Sequence, residues 1–487
     1  MHFIKPADRQ QFTFMQSLDD LVGTDNPVRV IDAIVDAIIE KNPEDFSDKG
    51  QSPLGRRAYN PGTFLKLYIY GYLNGISSSR KLEIEAHRNI ELIWLLGNLK
   101  PDFKTIADYR KDNGEEIKLL TRRFREFLRD QGLIGGKTVG IDGTRVKANA
   151  DRSMLTAKKI ERRIKSINEK IEDYLGRLMK NDKREDILDE LDVEDGSEIN
   201  QQLIDKIAEL EETVRNLGEQ KESLEKESRG EVSPSDPDAR LMKSRDGKIP
   251  AYNVQLVVDA ENKLITGSMV STESTDKQLL EPVLGSMKEE LGMEPAEVLG
   301  DKGYASFTAI EKVESSGKTS CYIPLQKNKS DSNPIQFKYN EIKDEYVCQR
   351  GKPLTLKSKN KFHRGQYVDV YQGVECKGCP IRNQCTRSKY GRIIQRPHNT
   401  SWREAYGRKL ETRRGKLKVK VRKCLVEHPI GTIRYWMGKI PLLLRGKEKV
   451  TTEINIYTTA YNIKRLMSLK ENTDLKEMIN QYHWARA

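Results

Sequence analysis

Lys137-Thr138-Val139-Gly140-Ile141-Asp142-Gly143-Thr144-Arg145-Val146-Lys147-Ala148 decides how the chain is read. Thr138, Val139, Ile141 and Val146 favour extended backbone, and the run is too short for an ordinary helix, so it is predicted to be a strand. An acid inside such a strand is costly to bury unless it is paired or holds a cation. Asp142 is therefore a candidate for chemistry, with a turn-capping aspartate as the competing reading.

Working outward, the pattern is mixed α/β. Downstream, Tyr252–Asp259 and Leu264–Val270 read as a hairpin turning at Asn262. Thr275 or Asp276 is expected to cap a helix through Leu279, Leu280, Val283 and Leu284. Glu297–Asp301 is a short strand ending in an acid, Ala309–Val313 a helix, and Cys321–Leu325 a further strand. Between the first strands, Ile160, Ile164, Ile167, Ile171, Tyr174 and Leu178 alternate by fours and threes, as do Leu203, Ile207, Leu210, Val214, Leu217 and Leu224. That is heptad spacing in two arms, an inserted antiparallel hairpin with an acidic joint around Asn181–Ser197. Its role is structural or dimer-forming. Upstream, Pro27–Ile39, Phe64–Leu73, the stretch after Ser77–Ser79, a short helix capped by Asp102, and Glu115–Asp130 read as helices. They fit a helix-turn-helix-like DNA binder and a plain bundle equally well. A closing helix is expected over Thr452–Leu469.

The chain has 487 residues and a formal net charge of +12. Residues 401–450 hold 15 Lys or Arg against 4 Glu, a local excess of +11. A field concentrated in that way points to a polyanion, nucleic acid before an acidic membrane surface. No apolar run is long enough to span a membrane. The opening MHFIKPADRQQF lacks an apolar signal core, and six cysteines in a long chain suit a reducing compartment, so a cytoplasmic location is expected.

Two more acids belong with Asp142. Asp301 follows Gly300 at a strand end and precedes Lys302-Gly303, where glycines permit close backbone approach. Glu427 lies in Lys420-Val421-Arg422-Lys423-Cys424-Leu425-Val426-Glu427-His428-Pro429-Ile430-Gly431-Thr432-Ile433-Arg434. On a helix, Lys423 and Arg434 share its face, although Pro429 argues for a kink or break there and a surface ion pair is the plainer reading. Acids brought together from separate elements suit magnesium, which demands oxygen ligands, and paired divalent ions overcome the repulsion that protects phosphodiesters. Asp259, Asp276 and Asp246 are rival acids, set aside as strand-end, cap and turn residues.

The segments Val139–Thr144, Leu299–Tyr304 and Val426–Ile433, in that order, resemble the bacterial insertion-sequence transposases of the DDE class; Pro61–Asn113 resembles the helical domain that opens many of them. The likeness runs from about residue 20 to 470. It implies an RNase H-like mixed sheet flanked by helices, with Asp142 on the first strand, Asp301 after the fourth and Glu427 on a later helix. These three would hold catalytic Mg2+ (or Mn2+). It places Lys423 and Arg434 where the family has basic residues before and after the glutamate. Related groups have a tyrosine seven residues before that glutamate; here the position is Lys420, so no tyrosine role is carried over. The implied partners are double-stranded DNA, both element ends and target, and a second copy in a homodimer. Arg145, Lys423 and Arg434 are the candidate phosphate contacts. The alternatives are a catalytically inactive, zinc-stabilised DNA-binding protein derived from a transposase, and a nuclease without a joining step.

Cys376-Lys377-Gly378-Cys379, with Cys385 after it and Cys348 before, can form a closed tetrahedral Zn2+ site. Free or buried thiols are the alternative, and His363 is a substitute ligand. Cys321 and Cys424 read as packing residues. The expected organisation is a helical N-terminal domain over 1–132, a catalytic domain over 133–330 and 391–470, a helical hairpin insertion over 155–230, a cysteine-rich insertion over 331–390 and a tail over 471–487.

Overall fold

The computed structural model describes residues 17–46, 58–151, 153–189, 197–226, 230–244, 247–325, 335–363, 366–436, 442–482 and 484. The chain divides into two compact units: Met1–Asp276, Pro282–Glu294 and Leu425–Ala487 form one, Lys277–Glu281 and Pro295–Cys424 the other. Asp246 lies outside the described residues, as does part of the expected hairpin joint.

The first unit opens with α1 (Pro27–Lys41) and α2 (Pro61–Leu73), each begun by an asparagine whose side chain accepts an N–H of the first turn and each carrying proline at the start. Almost every residue of α2 is buried, which explains its unbroken apolar sequence. Four helices follow, α3 (Ser79–Arg88), α4 (Ile90–Leu95), α5 (Phe103–Asp112) and α6 (Gly114–Asp130). Asp102 caps α5, accepting the N–H groups of Lys104 and Thr105 at 3.0 Å each.

The strand expected around Asp142 is β1 (Thr138–Lys147). The heptad arms are α7 (Ala157–Asp189) and α8 (Ser197–Lys226), sealed by Ile160, Ile167, Ile171, Ile207, Leu217 and Leu224. At their base Leu155 and Val232 exchange backbone hydrogen bonds of 2.8 and 2.9 Å. Then come β2 (Arg240–Ser244), β3 (Gly247–Asp259) and β4 (Ile265–Ser271), all antiparallel to their neighbours. β3 is central: β1 pairs along it with Asp142 opposite Leu256, and β2 and β4 pair with its first and second halves. The helix α9 (Leu280–Leu291) starts four residues beyond Asp276, so the expected cap does not form.

The second unit holds the parallel pair β5 (Glu297–Leu299) and β6 (Ser320–Tyr322), connected through α10 (Phe307–Glu314). The region read as a cysteine-rich insertion is a five-stranded antiparallel sheet: β7 (Phe337–Asn340), β8 (Glu345–Cys348), β9 (Pro353–His363), β10 (Gln366–Gly373) and β11 (Ile393–Pro397), in the order β11-β10-β9-β8-β7. A one-turn helix α11 (Arg382–Cys385) sits between the last two strands, and α12 (Thr400–Glu411) follows.

The helix α13 (Arg413–Gly431) leads back to the first unit and runs through Pro429 without ending. It passes into a π-helical turn over Thr432–Trp436, which corrects the expected break. Proline removes one donor, and the wider turn accommodates the altered ladder, with Thr432 Oγ1 donating to the His428 carbonyl at 2.9 Å. Cys424 on α13 is exposed and not a packing residue, whereas Cys321 on β6 is buried, and burial pushes its thiol up to about 12. The closing helix α14 (Lys447–Leu469) docks on β4: the Asn462 amide both donates to and accepts from the Ile265 backbone at 2.8 Å. The expected tail contains α15 (Asn472–Gln481), which buries Leu475 and Ile479 and packs on α1.

Candidate active site

In the first unit, α13 and the π turn lie along one face of β1. A side-chain carbon added at Gly140 would stand 2.7 Å from Leu425 Cδ2 and 2.8 Å from Val426 Cγ1, so the helix touches bare backbone there. Further along the strand, Arg434 donates through Nη2 to the Thr144 hydroxyl and, at 3.3 Å, to the Arg145 carbonyl. Gly140, Asp142 and Thr144 alternate onto the same face. Asp142 thus lies between two points where this helical segment meets β1, and Glu427 follows Val426, the residue at the first of them. Asp142 is half-buried, with Oδ1 accepting the Gly143 N–H at 2.9 Å, and Glu427 is exposed. Lys423, one turn before Glu427, is exposed, and exposed Arg145 donates to the Ser274 carbonyl at 2.9 Å.

His428 fixes the same segment to α14, its Nδ1 standing 3.0 Å from the Tyr461 hydroxyl. Burial, then Lys263 and Arg465, hold its imidazole below the ordinary value, so it adds no positive charge beside Glu427 at neutral pH.

The opposite face of β1 carries residues that the sequence reading passed over. Buried Asn253 and Gln255 both donate to Asp276 Oδ1, at 2.7 and 2.8 Å, and that oxygen is 3.0 Å from where a Gly143 side chain would begin. The buried amides claim Asp276, which is why it does not cap α9. Polar residues at alternate positions of Tyr252-Asn253-Val254-Gln255-Leu256 were the available signal. Asp259 accepts the N–H groups of Gly136, Glu261 and Asn262, each at 3.0 Å, the work of a turn residue.

In the second unit, Asp301 follows β5 and caps the single 3-10 turn Lys302–Tyr304, accepting the Gly303 N–H at 2.7 Å. Buried Tyr304 anchors that turn. At the start of β5, Glu297 pairs with Arg414 and Lys418 of α13.

The four cysteines Cys348, Cys376, Cys379 and Cys385 line one cavity of about 410 Å3 in this unit. Gly351 (φ 73°) and Gly378 (φ 77°) make the tight turns beside Cys348 and Cys379, a backbone region that suits glycine. The Arg392 N–H points to Cys376 Sγ at 3.5 Å. All four are free thiols, and burial raises the Cys385 thiol above its ordinary range. Among the described residues, no group of three or more His, Cys, Asp or Glu is gathered closely enough to hold a metal ion.

Two family models match separate stretches of the chain. One, described as a transposase DDE domain, covers residues 347–467, from the cysteines through Glu427 to α14. The other, described as a transposase domain (DUF772), covers residues 16–112, the helices α1 to α5. No curated protein and no solved structure matches the chain. A transposase model thus matches towards each end of the chain, and the two matches together indicate an insertion-sequence transposase of the DDE class.

Proposed function

We propose that the protein cuts the ends of a mobile element and joins them to target DNA, with Asp142, Asp301 and Glu427 holding Mg2+ (or Mn2+). The observation that carries the reading is the packing of α13 along β1 on both sides of Asp142, beside which Glu427 emerges. The antiparallel β1–β3–β4 core supports an RNase H-like catalytic domain, with 1–132, 155–230 and 331–390 as its helical, hairpin and cysteine-rich additions. Carboxylate oxygens are the hard donors that magnesium requires. When bound, paired ions supply an ionised water and neutralise the leaving oxygen.

The chain's own residues do the rest. Asp142 sits on β1 and Glu427 on the helix packed along it, so the segment that carries one acid is held to the strand that carries the other. Arg434, Arg145 and Lys423 contribute phosphate contacts, which orient the scissile strand without reading sequence. The freed 3′-hydroxyl then attacks target DNA in line. Two ends must be handled together, which favours a homodimer, and the reading puts the protein in the cytoplasm with its DNA. Cys348, Cys376, Cys379 and Cys385 line one cavity but are not gathered closely enough to hold an ion as they stand, so a structural Zn2+ bracing the β7–β11 sheet would need the four to close on it.

The test is cleavage of a labelled duplex carrying the element's terminal repeats. Asp301→Asn should abolish magnesium- and manganese-dependent cleavage while end binding persists. Normal cleavage by that variant would give the metal to another acid. Binding without nicking by the wild-type protein would favour the inactive DNA-binding reading instead.

A further inference from the structure

The β7–β11 sheet carries two aromatic clusters that differ. In one, Tyr339, Tyr346 and Tyr371 pack against one another with centroid separations of 5.0 to 6.0 Å. Asp344 accepts the hydroxyls of Tyr339 and Tyr371, and the Arg396 guanidinium lies 3.6 Å from the Tyr339 ring centre. That cluster is satisfied. In the other, directly paired Phe362 of β9 and Tyr367 of β10 meet edge to face at 5.4 Å yet remain 64% and 58% exposed. Tyr367 also lies over His398, with ring centres 6.4 Å apart and planes 27° from parallel, so His398 shares one of its faces while the Phe362 ring stays largely open to solvent.

The surroundings select the occupant. β9 carries exposed Lys357, Lys359 and Lys361 and no acid. On β11, Arg396 stands opposite Asp369, and that strand carries no acid. The one acid of β10, Asp369, is occupied by the Asn360 N–H at 3.0 Å and by His398 at 3.1 Å. Exposed aromatic rings beside three exposed lysines, on a strand without an acid, suit a polyanion that carries planar rings. In a duplex those rings are stacked on one another, so only unpaired bases can reach a sheet-mounted aromatic.

The geometry points to the Phe362–Tyr367 pair as a stacking site for unpaired bases of DNA, with the β9 lysines along the backbone. This rests on the DNA substrate proposed above and specifies which part of it the sheet meets: bases exposed where strands have parted at a cut or frayed end.

The experiment titrates the full-length protein, without added divalent ion so that nothing is cut, into oligonucleotides containing 2-aminopurine. The probe is placed in an unpaired overhang or, in a second oligonucleotide, inside a paired duplex. The wild type should quench the unpaired probe and bind that oligonucleotide about tenfold tighter. Phe362→Ala with Tyr367→Ala should remove the preference and leave duplex binding unchanged, while Phe362→Tyr keeps it. Lys357→Gln with Lys359→Gln and Lys361→Gln should weaken both oligonucleotides alike and flatten their salt dependence. Should the double alanine variant fail to fold, as read by its thermal melt, Phe362→Ser and Tyr367→Ser singly decide the matter. Equal wild-type affinity for the two oligonucleotides, or an intact preference after ring removal, overturns the assignment. Metal-dependent cleavage by the wild type is scored separately, so cleavage without the preference sinks only this inference, and the preference without cleavage sinks only the enzymatic reading.

Discussion

Gly140→Ala tests whether the clamp between α13 and β1 is what catalysis depends on. The new methyl would lie 2.7 Å from Leu425 Cδ2, 2.8 Å from Val426 Cγ1 and 3.0 Å from Leu425 Cγ. Carbon atoms pack at about 3.5–4.0 Å, so the helix must retreat by roughly 0.7–1 Å. Leu425 and Val426 are 3% and 0% exposed, and Val426 is β-branched, so side-chain rotation offers little relief. Overpacking of this kind costs about 1–3 kcal/mol of stability. The larger effect should be on rate, because the displaced segment carries Glu427, and misplacement of a reacting group by about 1 Å lowers rates on the order of a hundredfold. The assay is magnesium-dependent nicking of a terminal-repeat duplex at a temperature well below the melt of the variant, with end binding followed in parallel. Gly176→Ala in the interior of α7, where an added methyl meets nothing within 4 Å, is the control: it should leave the rate unchanged and should not lower the melt. A Gly140→Ala protein that melts earlier but nicks at the wild-type rate would refute the idea that this contact sets the distance between the carboxylates.

Arg125 is fully buried, pairing with Glu290 and donating to Ser268 at 3.1 Å and Thr458 at 2.9 Å, so Arg125→Met should cost about 3–5 kcal/mol in a urea melt; a change under about 1 kcal/mol would mean the pair is dispensable. Glu453 is buried, accepts the Leu443 and Leu444 N–H groups, and burial raises its carboxyl above the usual range. Its native form therefore holds a proton that the unfolded chain releases. Stability from this source is complete below the ordinary glutamate value and is lost as pH rises through the raised one. Glu453→Gln should flatten that decline above the ordinary glutamate value, and an unchanged slope would assign the pH dependence elsewhere. For the thiols, Cys379→Ser should lower the zinc content measured by atomic absorption, and unchanged content would dismiss the four-cysteine site.

Much of the first unit could be read from sequence because local signals and tertiary environment agree there. Thr138, Val139, Ile141 and Val146 form the strand their branching favours, and the heptads of α7 and α8 bury the isoleucines and leucines they mark. The β7–β11 sheet escaped because β9, its longest strand, alternates lysine with serine and asparagine, while its buried apolar positions, such as Leu354, Val368 and Val370, are few. Lys357, Ser358, Lys359, Asn360 and Lys361 are all exposed, so no buried face imposes a period of two. Pro429 misled because a proline signal is local, whereas a π turn and packing on β1 kept the helix going. Asp276 misled in the same way: its fit as a cap is a property of neighbouring residues, but two buried amides on β3 compete for it. Asp142 and Asp301 stood out as acids in apolar strands or at their ends. The partnership of Arg434 with Thr144 joins residues far apart in the chain and left no local trace.

The Leu155–Val232 bridge makes the α7–α8 arm a closed excursion, entering and leaving the chain path through neighbouring residues. Whatever length lies between those two residues, the gap it must span is fixed at one strand spacing, about 5 Å. Nature or an engineer can therefore shorten the arm, lengthen it, or graft another module in its place while the strand bearing Asp142 keeps its register. The arm is the part of this molecule where novelty comes at least risk to the chemistry.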